Sequence, residues 1–170
     1  MAARIPQGAS APFPGLYQVA YVTNDFERAL RQFGVTHRIG EFMKLPEMHY
    51  NTGPDREAVC NVALAYSGAL EIEVIQPLSG DVQFYKDYLP TDGAFTVRFH
   101  HLSRLFESKA ELEQQVAEYR KAGRALPVDG YSPGTARYFY ADFRAEAGHY
   151  MEGIYFEPEA QAWLASIPRF

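Results

Sequence analysis

Four polar side chains sit inside strands that are otherwise apolar: Gln18, Glu73, His101 and Glu152. Burying a carboxylate in an apolar strand is costly unless it is paired or meets a cation. The step from 18 to 73 is nearly the step from 101 to 152, so the four fall at matching places in two similar halves. Brought together, they offer two carboxylates, one imidazole and one amide oxygen. That oxygen-rich set suits a divalent ion such as Zn²⁺, Mn²⁺, Fe²⁺, Co²⁺, Ni²⁺ or Mg²⁺, with positions left open for water or substrate.

Each candidate has a rival or a plainer role. Glu71 stands two residues from Glu73, on the same strand face. His100 adjoins His101, and strand alternation lets at most one of them join the site. Gln18 reads equally as a satisfied polar residue in a metal-free site, and Glu152 as half of a structural ion pair. His149 has the opposite parity to Glu152 and reads as structural. Tyr138 and Tyr140 share one strand face and Tyr150 has the parity of Glu152, so these three are the candidate walls of a substrate pocket. Aromatic residues make up 15% of the chain, with 12 Tyr and 12 Phe. Such a content fits a sheet-rich fold and an aromatic-lined pocket alike.

These side chains need strands to carry them. After a Pro-rich arm (residues 1–15), Leu16–Thr23 reads as a strand. A helix follows, capped by Asn24 or Asp25, with Phe26, Ala29, Leu30 and Phe33 on one face and Gly34 as its end. Thr36–Phe42 reads as a strand, Glu47–Arg56 as turn-rich, and Ala58–Tyr66 with Leu70–Pro77 as a hairpin. Residues 78–93 form a linker with a short helix at Val82–Tyr88. The order then repeats. Ala94–Leu102 is a strand, Ser108 and Glu111 make a capping box, and the helix they open ends at Gly123. Strands follow at Arg124–Asp129, Ala136–Asp142 and His149–Phe156, and a terminal helix at Ala160–Ser166 falls in a tail of residues 159–170.

Residues 16–77 and 94–158 therefore each read β-α-β-β-β. One such module cannot bury both faces of its own sheet. The expected class is α+β: two βαβββ modules forming a curved eight-stranded mixed sheet, helices on the outer face, a groove on the inner one.

Composition narrows the function. The chain has 170 residues and a formal charge of −5, which disfavours a general affinity for nucleic acid. No apolar run reaches the length of a membrane helix, and the first residues lack the apolar core of a secretory signal. Cys60 is the one cysteine, too few for an intramolecular disulfide or a Cys-based zinc site. A cytoplasmic location is the expectation.

The segments Tyr17-Gln18-Val19-Ala20-Tyr21-Val22, Leu70 to Leu78 (LEIEVIQPL), Phe99-His100-His101-Leu102 and Gly148 to Glu152 occur in that order. Together they resemble the vicinal-oxygen-chelate superfamily, which includes glyoxalase I, methylmalonyl-CoA epimerase, extradiol dioxygenases and bleomycin-resistance proteins. The resemblance runs from about Leu16 to Pro158. It implies metal ligands at Gln18, Glu73, His101 and Glu152, a set similar to that of eukaryotic-type glyoxalase I. It differs from the two-His, one-carboxylate set of the dioxygenases. Val22 stands near where glyoxalase I places a glutathione-binding Arg, so glutathione is not implied. Asn61 stands near where some epimerases carry a second base.

The activity implied is that of a lyase, isomerase or epimerase acting on a small organic acid, 2-oxo compound or thioester through an enolate-type intermediate. The metal polarises a carbonyl, and a carboxylate moves the proton, Glu152 as first candidate and Glu73 as second. Homodimers are the family habit. The rival expectation is a metal-free small-molecule binding protein of the antibiotic-resistance type.

Overall fold

A computed structural model describes residues 15–170; the expected N-terminal arm lies outside them except for Gly15. Eight strands, β1 (Leu16–Thr23), β2 (Met43–Gly53), β3 (Arg56–Ser67), β4 (Leu70–Gly80), β5 (Val97–Leu105), β6 (Val128–Ser132), β7 (Ala136–Phe143) and β8 (His149–Phe156), form one sheet. Their order is β2-β3-β4-β1-β5-β8-β7-β6, so each half contributes four adjacent strands. The halves meet along an antiparallel β1–β5 seam, and each seam strand runs parallel to the last strand of its own half. This is the expected α+β, eight-stranded mixed sheet.

Two helices cover the outer face. Helix α1 (Phe26–His37) starts where the Asp25 side chain accepts a hydrogen bond from the Arg28 amide. It packs Phe26, Ala29, Leu30 and Phe33 against Ala63, Ala65, Ile72 and Val74. Helix α3 (Lys109–Lys121) is capped in the same way by Ser108, and sets Leu112 and Val116 on Phe139 and Ala141. The other helices are short: α2 (Gln83–Lys86), α4 (Arg144–Ala147) and α5 (Gln161–Ala165). Val82, Phe84 and Tyr85 around α2, and Trp163, Leu164 and Ile167 around α5, pack into the inner core. The last residues lie beside β3, where the Tyr66 amide donates to Pro168 O and the Phe170 amide to Tyr66 O.

Several boundaries differ from expectation for local reasons. Helix α1 runs through Gly34 to His37, because Phe33 and His37 continue its packed face as a ring pair. Arg38 ends it in the left-handed region, at φ 56°. Thr36–Phe42 is therefore the last turn of a helix and a connection rather than a strand. The region read as turn-rich, 47–56, is mostly β2, an edge strand. It tolerates Pro46 because an edge leaves one side of the ladder unpaired, and Glu47, at φ 48°, makes the irregularity that breaks register between Leu45 and Met48. In the second half the third-from-last strand is Val128–Ser132, four residues later than expected at its start.

The sheet curls until its two edges nearly meet. Tyr138 Oη on β7 donates to Asn51 O on β2 across 2.8 Å. Gly130 on β6 faces the same carbonyl so closely that a Cβ there would overlap Asn51 O and the Tyr138 ring. Overpacking of this kind typically costs about 1–3 kcal/mol. Gly130→Ala is expected to lower the denaturation midpoint accordingly, measured by urea unfolding, whereas an unchanged midpoint would mean that the edges do not approach.

Candidate functional site

Two irregularities on the seam aim the polar residues. In the β1–β5 register Leu16 pairs with Arg104 and Gln18 with Ser103, leaving Tyr17 as an extra residue on β1. Further along, Ala20 pairs with His101 and Tyr21 with Phe99, leaving His100 as an extra residue on β5. A bulge sets two consecutive residues against one partner and re-aims a side chain. Tyr17 and Gln18 both reach inward to Glu71, and His100 and His101 both lie in the interior. This corrects the alternation argument that admitted at most one of the two histidines.

His101 has no solvent exposure. Its Nε2 stands 3.4 Å from Glu73 Oε2 and 3.4 Å from Glu152 Oε2, and makes no hydrogen bond. Its Nδ1 is 2.8 Å from His100 Nδ1. The roles within that pair follow from the next contact. His100 Nε2 faces Phe84 O at 3.2 Å, a carbonyl that only accepts, so Nε2 carries the hydrogen. Burial, then the neighbouring His101, holds the His100 pKa well below its usual value. Neutral His100 therefore offers a lone pair at Nδ1, and His101 Nδ1–H donates to it. This chain fixes the ring of His101 and leaves Nε2 to answer the two carboxylates. Burial alone would lower the His101 pKa, but Glu152 and Glu73 raise it to about 9. Burial pushes Glu73 upward, and His101 partly offsets the push.

Glu71, the neighbour set beside Glu73 as its rival, also faces the interior. It is buried, and its Oε1 accepts from Gln18 Nε2 at 2.7 Å and Tyr17 Oη at 2.9 Å. Burial, followed by the charge of Glu73, raises its pKa to about 7, against the opposing hydrogen bonds from Tyr17, Gln18 and Tyr66. Gln18 Oε1 and Glu71 Oε2 are both buried with no partner. Asn61, by contrast, bonds to Gln76 and to the Glu47 amide, while its neighbour Val62 lines the inner cavity.

A metal-ion fit can be tested on these atoms. Among the described residues no group of three or more His, Cys, Asp or Glu is placed so as to hold a metal ion. The donors are nonetheless of the right kind. Two ligands about 2.1 Å from one tetrahedral ion stand about 3.4 Å apart, which matches both separations from His101 Nε2. The Nδ1–H donated to His100 is the type of contact that orients a ligating histidine. Glu73, His101 and Glu152 thus carry donor types that a divalent ion takes, and Gln18 Oε1 is a further buried oxygen without a partner.

Above these groups opens a cavity of about 560 Å³. Gln18, Glu71, Glu73 and Glu152 reach it, and Leu45, Val62, Leu64 and Ile75 supply apolar wall. Tyr138 and Tyr140 line it. Tyr150 does not; it packs behind the site, with its ring centroid 5.0 Å from that of His100. Three phenols form a relay along the wall, Tyr50 Oη donating to Tyr85 Oη at 2.6 Å and Tyr85 Oη lying 2.9 Å from Tyr140 Oη. His49, an exposed residue at the cavity, pairs with Glu57. Cys60 is buried on β3 with its thiol pushed by burial up to about 12, so it is no nucleophile.

The fold is similar to that of known structures. Methylmalonyl-CoA epimerase from Mycobacterium tuberculosis superposes with a TM-score of 0.57 at 16% identity, covering 87% of this chain and 91% of that one. The Streptomyces coelicolor methylmalonyl-CoA epimerase bound to 2-nitronate-propionyl-CoA gives 0.55 at 12%, covering 84% and 96%. A hypothetical protein from Bacillus halodurans gives 0.54 at 17%, covering 84% and 94%. The fold is the one these epimerase structures share. At such identities the likeness concerns the fold alone. No described protein family matches the sequence, and no curated protein matches it. Among the described residues no helix is long and apolar enough to cross a membrane.

Within this fold, Glu71 gives a pH-dependent stability. Its folded pKa, about 7 against an ordinary 4.5, means the folded state holds the proton more tightly. The stabilisation is present below pH ~4.5 and lost as pH rises through ~7, at most about 3 kcal/mol. Chelator-treated protein is expected to lose melting temperature between pH 5 and 7, and Glu71→Gln to flatten that slope. An unchanged slope in the variant would place the titration elsewhere.

Proposed function

We propose that this protein is a metal-dependent isomerase or epimerase of the glyoxalase fold, moving a proton at the carbon beside a carbonyl of a small organic substrate. The observation that carries the reading is His101 Nε2, fully buried, without a hydrogen bond, and set between Glu73 and Glu152 at the floor of the cavity. A structural ion pair alone would not require a second buried histidine to fix the ring of the first. The fold is also that of enzymes named as epimerases.

A divalent ion held by Glu73, His101, Glu152 and Gln18 would supply Lewis acidity for the developing enolate. The chain's own residues do the rest. Glu152 reaches the cavity and takes the proton from the substrate carbon as general base. Glu73, whose proton affinity is raised by burial, is the second group able to hold it. Return of the proton to another face or carbon gives epimerisation or isomerisation. His100 keeps the His101 ring fixed, and the tyrosine and aliphatic walls exclude water.

The test is deuterium exchange at the acidic carbon of 2-oxo compounds and thioesters in D₂O, followed by NMR beside metal content. Glu152→Gln and Glu73→Gln are expected to slow exchange by about 10²–10⁴-fold, and His101→Ala to lose the bound ion. Protein purified without chelator that holds no ion, and that binds ligands without exchanging their protons, would replace this reading with that of a binding protein.

A further inference from the structure

The cavity's polar lining has a consistent chemistry. Its charged groups are carboxyls: Glu71, Glu73 and Glu152 on the floor and Glu159 on the rim. Among the described residues no lysine or arginine lines it, and its one further ionisable cation, His49, is engaged by Glu57 at 2.9 Å. A guest with a negative group remote from the floor would meet a low-dielectric, electronegative chamber with no counter-charge. The carboxyls do not invite a cationic guest either. Glu73 and Glu152 face His101, and Glu71 is tied to Gln18 and Tyr17.

What the walls do offer is apolar area and hydroxyl groups. The linked phenols of Tyr50, Tyr85 and Tyr140 line the cavity. Burial raises all three pKa values well above the usual phenol range, so each keeps its proton. Three hydroxyls joined by two hydrogen bonds leave one proton over, available to a guest's oxygen. Trp163 and Phe156 add flat apolar surface, which suits an aromatic or alicyclic body.

We infer that the substrate is an uncharged carbonyl compound with an apolar, ring-sized body, recognised by phenol hydroxyls and carbon surface rather than by cationic side chains. Compounds with a carboxylate remote from the reacting carbonyl and coenzyme-A thioesters are then outside its range, although structures of this fold hold the latter. This narrows the substrate class of the proposed proton transfer and rests on that reading for the chemistry, but not for the binding.

The experiment is therefore a binding one, run on chelator-treated full-length protein by calorimetry. The probes are 1-phenylpropane-1,2-dione, its 4-carboxyphenyl analogue, and propionyl-CoA. The neutral dione is expected to bind, its carboxylated analogue at least ~30-fold more weakly, as an uncompensated charge in a low-dielectric site requires, and the thioester not measurably. Glu159→Lys at the rim is expected to recover a several-fold part of the loss for the carboxylated probe while leaving the neutral one unchanged. Tyr140→Phe is expected to weaken the dione and not to disturb folding. Equal or tighter binding of either anion, or no binding of the dione, overturns the inference. Loss of proton exchange with these binding constants intact would instead fault the proposed reaction.

Discussion

One imidazole, His101, is the point on which the site depends. It has no exposure, and it touches two carboxylates with one nitrogen while the other is held by a neighbouring neutral histidine. Buried charge of this kind persists only where every partner is positioned. The positions come from four strands: Glu73 from β4, His101 from β5, Glu152 from β8, and Gln18 from β1. Those four are consecutive across the middle of the sheet. The arrangement is thus a property of the seam between the halves, and neither half holds it alone.

The seam departs from regular alternation at two places, Tyr17 and His100, which lie on the facing strands. Each bulge doubles the number of inward side chains where the cavity floor is made. Tyr17 becomes a donor to Glu71, and His100 becomes the acceptor that orients His101. The cost of interrupted ladder pairing is offset by these hydrogen bonds and by the rings of Tyr85, Tyr88 and Tyr150 around His100.

Much of this was legible in the residues. The caps at Asn24 or Asp25 and at Ser108, the β-α-β-β-β order and the four polar positions, each with its rival, are local signals. What escaped detection depended on tertiary context. The β2 strand hid behind Pro46 and Gly53 because an edge position tolerates what a central strand does not. Glu71 shares its face with Glu73, and only the fold reveals that the face is interior throughout. His100 was excluded by a period-two rule that a single extra residue suspends. Tyr150 had the right parity but sits where α2 and Tyr88 cover it.

The sheet order has a kinetic consequence. Strand β1 has two neighbours, β4 and β5, and both come much later in the chain; Gln18 pairs with Glu71 on one side and Ser103 on the other. During synthesis the first strand is therefore released without either partner. It remains an open apolar edge until Leu105 has emerged. Closing such distant pairs makes for slow folding and a period of exposure to misassociation. The strand that joins the two halves is thus made before either of its partners.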